Sequence, residues 1–470
     1  MPNQSPRHPR PSTTDEDYHQ AIAHTARILD AWLPHKIQYD RIPSLSVGIV
    51  HSGRPVYQRG FGFADVESKT PATARTCYRI ASISKTFTAV AIMQLVEQGK
   101  IGLDDRVRTY LPWFKPRTKT ADAGRITIRQ LLSHTAGVIR DGNSPHWVTD
   151  EFPDAAGLRQ SMSDATVVFE HLTRFKYSNF GFALAGEVIQ KASGVPYTAY
   201  VGTHIIRKLG MARTAPDLSG AARAWLATGY SRPVPSKERE RFRHPETRAY
   251  APAAGFLSNV PDLSRYLAAL TLTRRDGSLV GKDSKKEMLR EHWATGEEHE
   301  WYGLGFTISN VERRKIVGHG GGFAGFSTRI ALDVDNDIGV IALTNTNDPA
   351  AGLLTAGIFE TIYKFVDEKN RYGAGARIPD QERYEGAYRN RWGDVVVVGI
   401  DTNLVALDPR ATSPVKTGAL LTARGRDSFV MAPRSNTDSP GELARFLFAP
   451  KRKKARAVVW GSTPLERLDE

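Results

Sequence analysis

Residues 78–89 read YRIASISKTFTA and place a serine and a lysine, Ser82 and Lys85, three positions apart. The stretch from Ser82 to Gln98 is apolar on nearly every side and is followed by Gly99, which predicts one centrally buried helix that ends there. Residues three apart lie on one face of a helix, so the Lys85 amine can reach the Ser82 hydroxyl. Backbone N–H groups of the first turn point toward any oxyanion that develops beside it. The stretch therefore predicts a nucleophilic serine with a basic partner.

The proposed base imposes a condition on its surroundings. Lys85 accepts a proton only when it is neutral, so its pKa must fall from the usual value of about 10.4. Burial in an apolar helix lowers the pKa of a lysine. An N-cap serine followed by a surface lysine is the alternative interpretation, and the surrounding sequence has to decide between the two.

Hydrophobic patterns on both sides of this helix predict a mixed α/β body. A hairpin precedes the helix and two strands follow late in the chain, so the first and last thirds of the body can share one sheet. A leading helix is predicted to end at Leu33, because Pro34 follows. The predicted elements are helices at 15–33, 82–98 and 351–366 and strands at 45–50, 55–59, 328–332 and 338–343.

Residues 381–470 show a different pattern. After the linker-like stretch 367–380, short alternating segments predict a separate all-β domain. This region has its own Ser413-Pro414-Val415-Lys416, which overlaps with Lys416-Thr417-Gly418, and its own Tyr388-Arg389-Asn390. One lysine would serve two of these motifs and a proline interrupts the supposed serine helix, so we interpret all three as chance matches.

The composition is that of an ordinary globular protein. Of the 470 residues, 40% are hydrophobic and 24% are charged, and no apolar run reaches the roughly 18 residues needed to cross a bilayer. Residues 1–14 lack the apolar core of a signal peptide and predict a disordered tail on a cytoplasmic protein. The net charge is +14, but the basic run 451–456 is interpreted as a solvated turn, so no nucleic-acid partner is expected.

Common catalytic and cofactor signatures are missing from the sequence. It contains no G-x-S-x-G, H-E-x-x-H, C-x-x-C or Walker loop. A G-x-G-x-x-G match at Gly320, Gly322 and Gly325 is followed by the strand-like residues 326–330, which argues against a dinucleotide site. No cluster has the spacing of metal ligands, so we expect neither a cofactor nor a metal.

Several motifs stand in one order along the body, and that order is more specific than any single motif. They are YRIASISKTFTA (78–89), GKIGLDD (99–105), LLSHTAG (131–137), YSN (177–179), AGFLS (254–258), YGLGF (302–306) and HGG (319–321). With them, residues 17–366 resemble the penicillin-recognising serine hydrolases, in the branch of class C β-lactamases, D-aminopeptidases and related esterases.

The resemblance implies an α/β fold for residues 15–366, in which an antiparallel sheet is flanked by helices and joined to an all-helical subdomain. A lipocalin-like β-barrel would occupy residues 381–470, on the strength of the YEGAY motif at 384–388 and the strand pattern. The tail 1–14 and the linker 367–380 complete the expected domain organisation.

Carried over position by position, the resemblance assigns four side chains. Ser82 would be the acylated nucleophile and Lys85 its proton acceptor. Tyr177 would share general base and general acid work with the lysine. Asn179 would hold the acyl-side amide or carbonyl of the substrate.

The third motif departs from the β-lactamases, which carry Lys-Thr-Gly or a close relative there. The variant His319-Gly320-Gly321 resembles that of D-aminopeptidases and some esterases. The glycines would let a substrate lie against the strand edge, and the N–H of Gly322 would join that of the nucleophile as the oxyanion hole. His319 would polarise Tyr177 or bind a substrate carboxylate, with a charge that is not fixed near pH 7.

The sequence thus predicts a cytoplasmic serine hydrolase that acts on a small peptide, a D-amino-acid amide or a short ester through an acyl-enzyme. A β-lactamase and a non-catalytic scaffold of the same fold are the alternatives. The expected partner is a small-molecule or peptide substrate, and the resemblance leaves room for a homo-oligomer.

Overall fold

The computed structural model describes residues 13–116, 123–161, 167–218, 220–234, 237–273, 279–369, 378–432 and 440–468. The predicted tail up to residue 12 and the linker residues 370–377 lie outside these ranges. The chain folds as two compact units: a central unit, Arg41–Thr355, and a terminal unit that comprises the chain up to Asp40 and from Ala356 onward. The domain limits drawn from the sequence stay predictions. Within the described ranges, no helix combines the length and apolarity needed to cross a bilayer.

Both units contain helices and strands. The helices are α1 (Asp15–Tyr39), α2 (Ser84–Glu97), α3 (Val107–Tyr110), α4 (Ile128–Leu132), α5 (His146–Thr149), α6 (Ala155–Gln160), α7 (Asn179–Ser193), α8 (Tyr197–Val201), α9 (Val260–Leu270), α10 (Lys282–Leu289) and α11 (Ala350–Asp367). The strands are β1 (Ser44–His51), β2 (Arg54–Asp65), β3 (Thr70–Pro71), β4 (Tyr78–Arg79), β5 (Leu257–Ser258), β6 (Trp293–Ala294), β7 (Glu300–Tyr302), β8 (Thr307–Val311), β9 (Arg314–Phe323), β10 (Phe326–Asp333), β11 (Ile338–Thr344), β12 (Gly386–Asn390), β13 (Gly393–Ile400), β14 (Asn403–Leu407), β15 (Ala419–Gly425), β16 (Ser428–Ala432), β17 (Leu443–Leu447), β18 (Ala457–Trp460) and β19 (Thr463–Arg467).

A nine-stranded antiparallel sheet forms the scaffold of the central unit, in the order β3-β2-β1-β11-β10-β9-β8-β7-β6. β1 pairs with β11 from Leu45↔Thr344 to His51↔Ile338, so the early hairpin and the late strands share one sheet, as predicted. Both strands are buried along their whole length, which explains their nearly continuous apolar sequences. The predicted antiparallel α/β fold is confirmed.

α2 is the central buried helix that the sequence predicts. Phe87 stacks on Tyr266 of α9 with ring centres 4.0 Å apart. Burying one such side chain stabilises a fold by about 1.5–3 kcal/mol. The regular helix begins at Ser84 rather than at Ser82, because Ala81 has a left-handed φ of 45° and residues 81–83 form a 3-10 turn instead.

The terminal unit contains a closed barrel of eight strands, β12 to β19, with each strand paired antiparallel to the next. Apolar and aromatic side chains fill its interior, among them Tyr388, Phe429 and Phe446. The predicted C-terminal β-barrel is therefore confirmed.

α1 lies in the terminal unit and is longer than predicted. It continues through Pro34 to Tyr39, although a proline inside a helix costs about 3 kcal/mol. Packing holds the turns beyond the proline, because Ile37 is buried and the Lys36 amine donates to the carbonyl of Arg410 at 3.3 Å. The prediction that the helix ends before the proline is wrong, since tertiary contacts outweigh the local cost.

Candidate active site

A rigid turn presents Ser82 at the start of α2. Ala81, just before it, has a left-handed φ, which costs a residue with a side chain about 1–3 kcal/mol. The fully buried Arg79 holds the approach to this turn, because its guanidinium donates to the carbonyl of Gly255 at 2.9 Å and lies 3.5 Å from the Asp217 carboxylate. Ser82 stays partly exposed between buried neighbours, so a substrate can reach its hydroxyl.

Lys85 is fully buried one turn into the same helix. Its Nζ lies 3.3 Å from Ser82 Oγ and donates to Asn179 Oδ1 at 2.7 Å and to the carbonyl of Ala253 at 2.9 Å. Burial holds the pKa of this amine well below its usual range, and the nearby Asp141 carboxylate opposes that shift. The lowered pKa that a lysine needs in order to act as a base is therefore present at Lys85.

Tyr177 also lies beside Ser82. Its phenol hydrogen-bonds with Ser82, and the Lys85 amine lies 4.7 Å from the centre of its ring. Burial raises the pKa of Tyr177 well above its usual value, despite the hydrogen bond with Ser82. Its hydroxyl therefore keeps its proton at neutral pH.

The N-terminus of α7 fixes the YSN motif. Ser178 is the N-cap residue, and its side chain accepts from the N–H of Gly181. Its own N–H donates to Nδ1 of His134 at 3.1 Å, and the His134 ring packs 4.3 Å from the ring of Tyr177. Burial lowers the pKa of His134 well below its usual value, so this histidine is neutral and supports Tyr177 from behind. The LLSHTAG motif therefore packs against the YSN motif through His134.

His319 lies on β9 with both ring nitrogens engaged. Its Nδ1 lies 2.6 Å from the carbonyl of Gly320, and its Nε2 lies 2.9 Å from the hydroxyl of Tyr302. Burial lowers the pKa of His319 to about 3, so the ring is uncharged near neutral pH. Its centre lies 6.3 Å from that of Tyr177. The Tyr302 contact was not anticipated from the sequence.

The glycines of β9 closely approach the turn that carries Ser82. β8 pairs with β9 only as far as Gly318. From His319 onward, β9 is paired with β10 on one side only. A Cβ atom on Gly321 would lie 2.1 Å from the carbonyl oxygen of Ile80, so only glycine fits there. Gly322 is exposed and has open space beside it. The third motif therefore lies beside the turn that carries the serine.

Sequence reasoning also missed Asp141, which lies at the centre of this arrangement. The Asp141 carboxylate accepts from Nδ2 of Asn179 at 2.6 Å and from the Trp147 indole at 2.7 Å. The first of these bonds fixes the orientation of the Asn179 amide, so that Oδ1 faces Lys85. Asp141 follows four residues after the LLSHTAG motif, and that proximity is the only signal the sequence offers.

The family is established by sequence comparison. The profile described as Beta-lactamase matches residues 29–360. The chain belongs to the Beta-lactamase family, which confirms the resemblance drawn from the ordered motifs.

Individual relatives span most of the chain. Protein flp of Staphylococcus aureus (strain MW2) is 30% identical over 377 residues, which are 79% of this chain and 71% of that protein. Penicillin-binding protein 4* of Bacillus subtilis (strain 168) is 29% identical over 317 residues, which are 63% of this chain and 66% of that protein. The solved octameric penicillin-binding protein homologue from Pyrococcus abyssi has a TM-score of 0.61 and 25% identity, and the match covers 93% of this chain and 98% of that one.

Proposed function

We propose that this protein is a serine hydrolase that cleaves an amide or ester bond of a small substrate through an acyl-enzyme on Ser82. The observation that carries the proposal is the hydrogen bonding of Lys85. A neutral amine has two N–H donors and one lone pair, and the acceptors Asn179 Oδ1 and Ala253 O take the two donors. The lone pair is left for the proton of Ser82, whose Oγ lies 3.3 Å away.

The proposed reaction moves one proton through two side chains. Ser82 Oγ attacks the substrate carbonyl while its proton passes to Lys85, and the N–H groups of Ser82 and Gly322 stabilise the oxyanion. Tyr177 donates its proton to the leaving group and recovers one from Lys85. Water then attacks the acyl-enzyme, its proton passes to the same base, and the acid leaves as the Ser82 hydroxyl is restored.

The third motif supports a small peptide, a D-amino-acid amide or a short ester as the substrate class. With His319 uncharged and bonded to Tyr302, β9 offers glycine backbone rather than a fixed positive charge. The name of the Bacillus subtilis relative refers to penicillin binding, so a β-lactam is the second candidate. Comparing turnover of a chromogenic cephalosporin with that of peptides, D-aminoacyl amides and esters separates the two.

Covalent labelling tests the nucleophile. We expect a fluorophosphonate to add one label per chain, and peptide mass spectrometry to locate that label on Ser82. The competing Ser-x-x-Lys at 413–416 is an internal comparison, because Ser413 is buried and the Lys416 amine donates to Glu360 at 2.6 Å instead. A label on Ser413 would refute the assignment, and the absence of any label would favour the non-catalytic scaffold.

The substitution Asp141→Asn is expected to lower kcat/KM for an ester by about tenfold, because a neutral amide oxygen holds the Asn179 amide less strongly than a carboxylate does. Loss of the negative charge also lowers the pKa of Lys85 further, since Asp141 raises that pKa against burial. The acid limb of the kcat/KM profile should therefore move to lower pH. The measurement is the pH dependence of ester hydrolysis.

Asp154→Asn is the matched control for this substitution. It removes the same charge, but Asp154 caps α6 through the N–H of Gly157 at 2.8 Å, and asparagine caps a helix equally well. We expect its pH profile to overlay the wild-type profile. An acid limb that stays in place in Asp141→Asn, or moves equally in the control, would contradict the role given to Asp141.

Assembly into a homo-oligomer remains part of the proposal. The Pyrococcus abyssi relative is described as octameric, and its structure matches nearly the whole length of this chain.

A further inference from the structure

The two histidines beside Ser82 are uncharged near neutral pH, and burial disfavours the charged form of Lys85. Burial lowers the pKa of Lys85 well below its usual range, and it lowers the pKa of His134 and His319 as well. Both nitrogens of His319 are already bonded within the protein. His134 and His319 therefore offer an anionic substrate group no positive charge, and another cation near Ser82 is a better candidate to bind it.

Arg140 is such a cation at the mouth of the site. Its guanidinium carbon lies 5.2 Å from the centre of the Tyr177 ring, and its Nε lies 3.3 Å from Oδ2 of Asp141. The backbone beneath it is fixed, because the carbonyl of Arg140 accepts from the N–H of Phe180 at 2.9 Å. The base of this side chain is thus held in place.

The outer end of Arg140 remains available. The side chain is 62% exposed, and within the described ranges its two Nη groups make no hydrogen bond. Asp141 contacts the guanidinium only at Nε, through Oδ2. The other carboxylate oxygen, Oδ1, accepts from Asn179 and Trp147. The two Nη groups form the fork that binds a carboxylate through two parallel hydrogen bonds.

We propose that Arg140 binds a carboxylate group of the substrate beside the Tyr177 side of the Ser82 site. The inference rests on the proposed function and narrows its substrate class to small acids or peptides with a free carboxylate near the scissile bond. A charge-assisted hydrogen bond of this kind contributes about 10- to 100-fold to kcat/KM. The basic net charge of +14 also favours anionic substrates over cationic ones.

Two pairs of esters test this inference. One pair shares an acyl group and has 3-hydroxybenzoate or 3-hydroxybenzamide as its leaving group, and the other carries the carboxylate or carboxamide on the acyl side. We expect wild-type protein to prefer the carboxylate member of one pair by at least tenfold in kcat/KM. Arg140→Gln should reduce that ratio to about 1, and Arg140→Lys should retain part of it.

Arg174→Gln is the matched control, because Arg174 is also exposed and stacks on a ring, that of Phe169, at 5.0 Å. We expect it to keep the wild-type ratio. The use of a ratio cancels any general effect of Arg140 on Tyr177, since that effect would slow both esters alike. The preference for the carboxylate ester should also decrease at high salt, because salt screens the interaction of an exposed charge.

The outcomes separate this inference from the proposed function. The role of Arg140 would be overturned if Arg140→Gln lowered kcat/KM equally for both esters of a pair, or if the wild type showed no preference for a carboxylate. Either result would leave Ser82 labelling unchanged. If ester turnover is too slow, calorimetric binding of 3-carboxyphenylboronic acid against its carboxamide gives the same comparison. Failure of Ser82 labelling would instead overturn the proposed function, and the substrate assignment with it.

Discussion

Ser82→Ala is expected to reduce ester hydrolysis by about 10⁴-fold or more, to the level of the residual catalysis that a site retains without its nucleophile. The substitution removes the atom that we propose forms the acyl bond, while the turn around it keeps its contacts. Those contacts run through Arg79, Gly255 and Ser84 rather than through the Ser82 hydroxyl. Folding should therefore be preserved, and the loss should lie in kcat.

Ser413→Ala is the control for this substitution, because Ser413 belongs to the second Ser-x-x-Lys of the chain. Its buried hydroxyl has no hydrogen-bond partner within the described residues, so its removal should be tolerated. We expect wild-type rates of p-nitrophenyl acetate hydrolysis for this variant. Loss of activity in Ser413→Ala, or its persistence in Ser82→Ala, would place the nucleophile elsewhere.

Local sequence predicts the relationship between Ser82 and Lys85 because a helical turn fixes it. A spacing of three residues brings the two side chains together wherever the helix lies, and the apolar residues that follow demand its burial. The same holds for the strands β10 and β11, whose apolar and β-branched residues predict the elements themselves. These features depend on neighbours in the chain.

The features that sequence reasoning missed depend on distant contacts. Helical periodicity does not show that Ala81 is left-handed. The residues just before Ala81 contact a distant part of the chain, since Arg79 donates to the carbonyl of Gly255. The partnership of Asp141 with Asn179 is set by the path of a loop that has no periodic pattern. In the same way, α1 continues through Pro34 because of packing that a local rule does not include.

Lys85→Met is expected to lower the rate of acylation by about 10²- to 10⁴-fold, the usual contribution of a positioned general base. Methionine has nearly the length of lysine but lacks the amine, so the Ser82 proton loses its acceptor. The substitution leaves Asn179 Oδ1 and Ala253 O without their donor, at a cost of about 1–3 kcal/mol for each buried group. Stability and activity must therefore be measured together.

Lys285→Met controls for that cost. Lys285 is also buried, and its amine donates to the carbonyl of Thr271 at 2.6 Å, outside the active site. Both variants should have a lower free energy of unfolding, but only Lys85→Met should lose acylation, measured by stopped-flow with p-nitrophenyl acetate. Equal activity in the two variants would refute the assignment of Lys85 as the base.

The pH dependence gives Lys85 a second signature. Because burial depresses its pKa, the folded protein binds fewer protons at this site than the unfolded chain does between the depressed pKa and the usual value of about 10.4. The contribution of Lys85 to stability therefore rises with pH across that window and is smallest below it. Acylation should rise through the lower edge of the same window, where the amine becomes neutral. Lys85→Met should remove both slopes, whereas a structural lysine without a catalytic role would lose only the slope in stability.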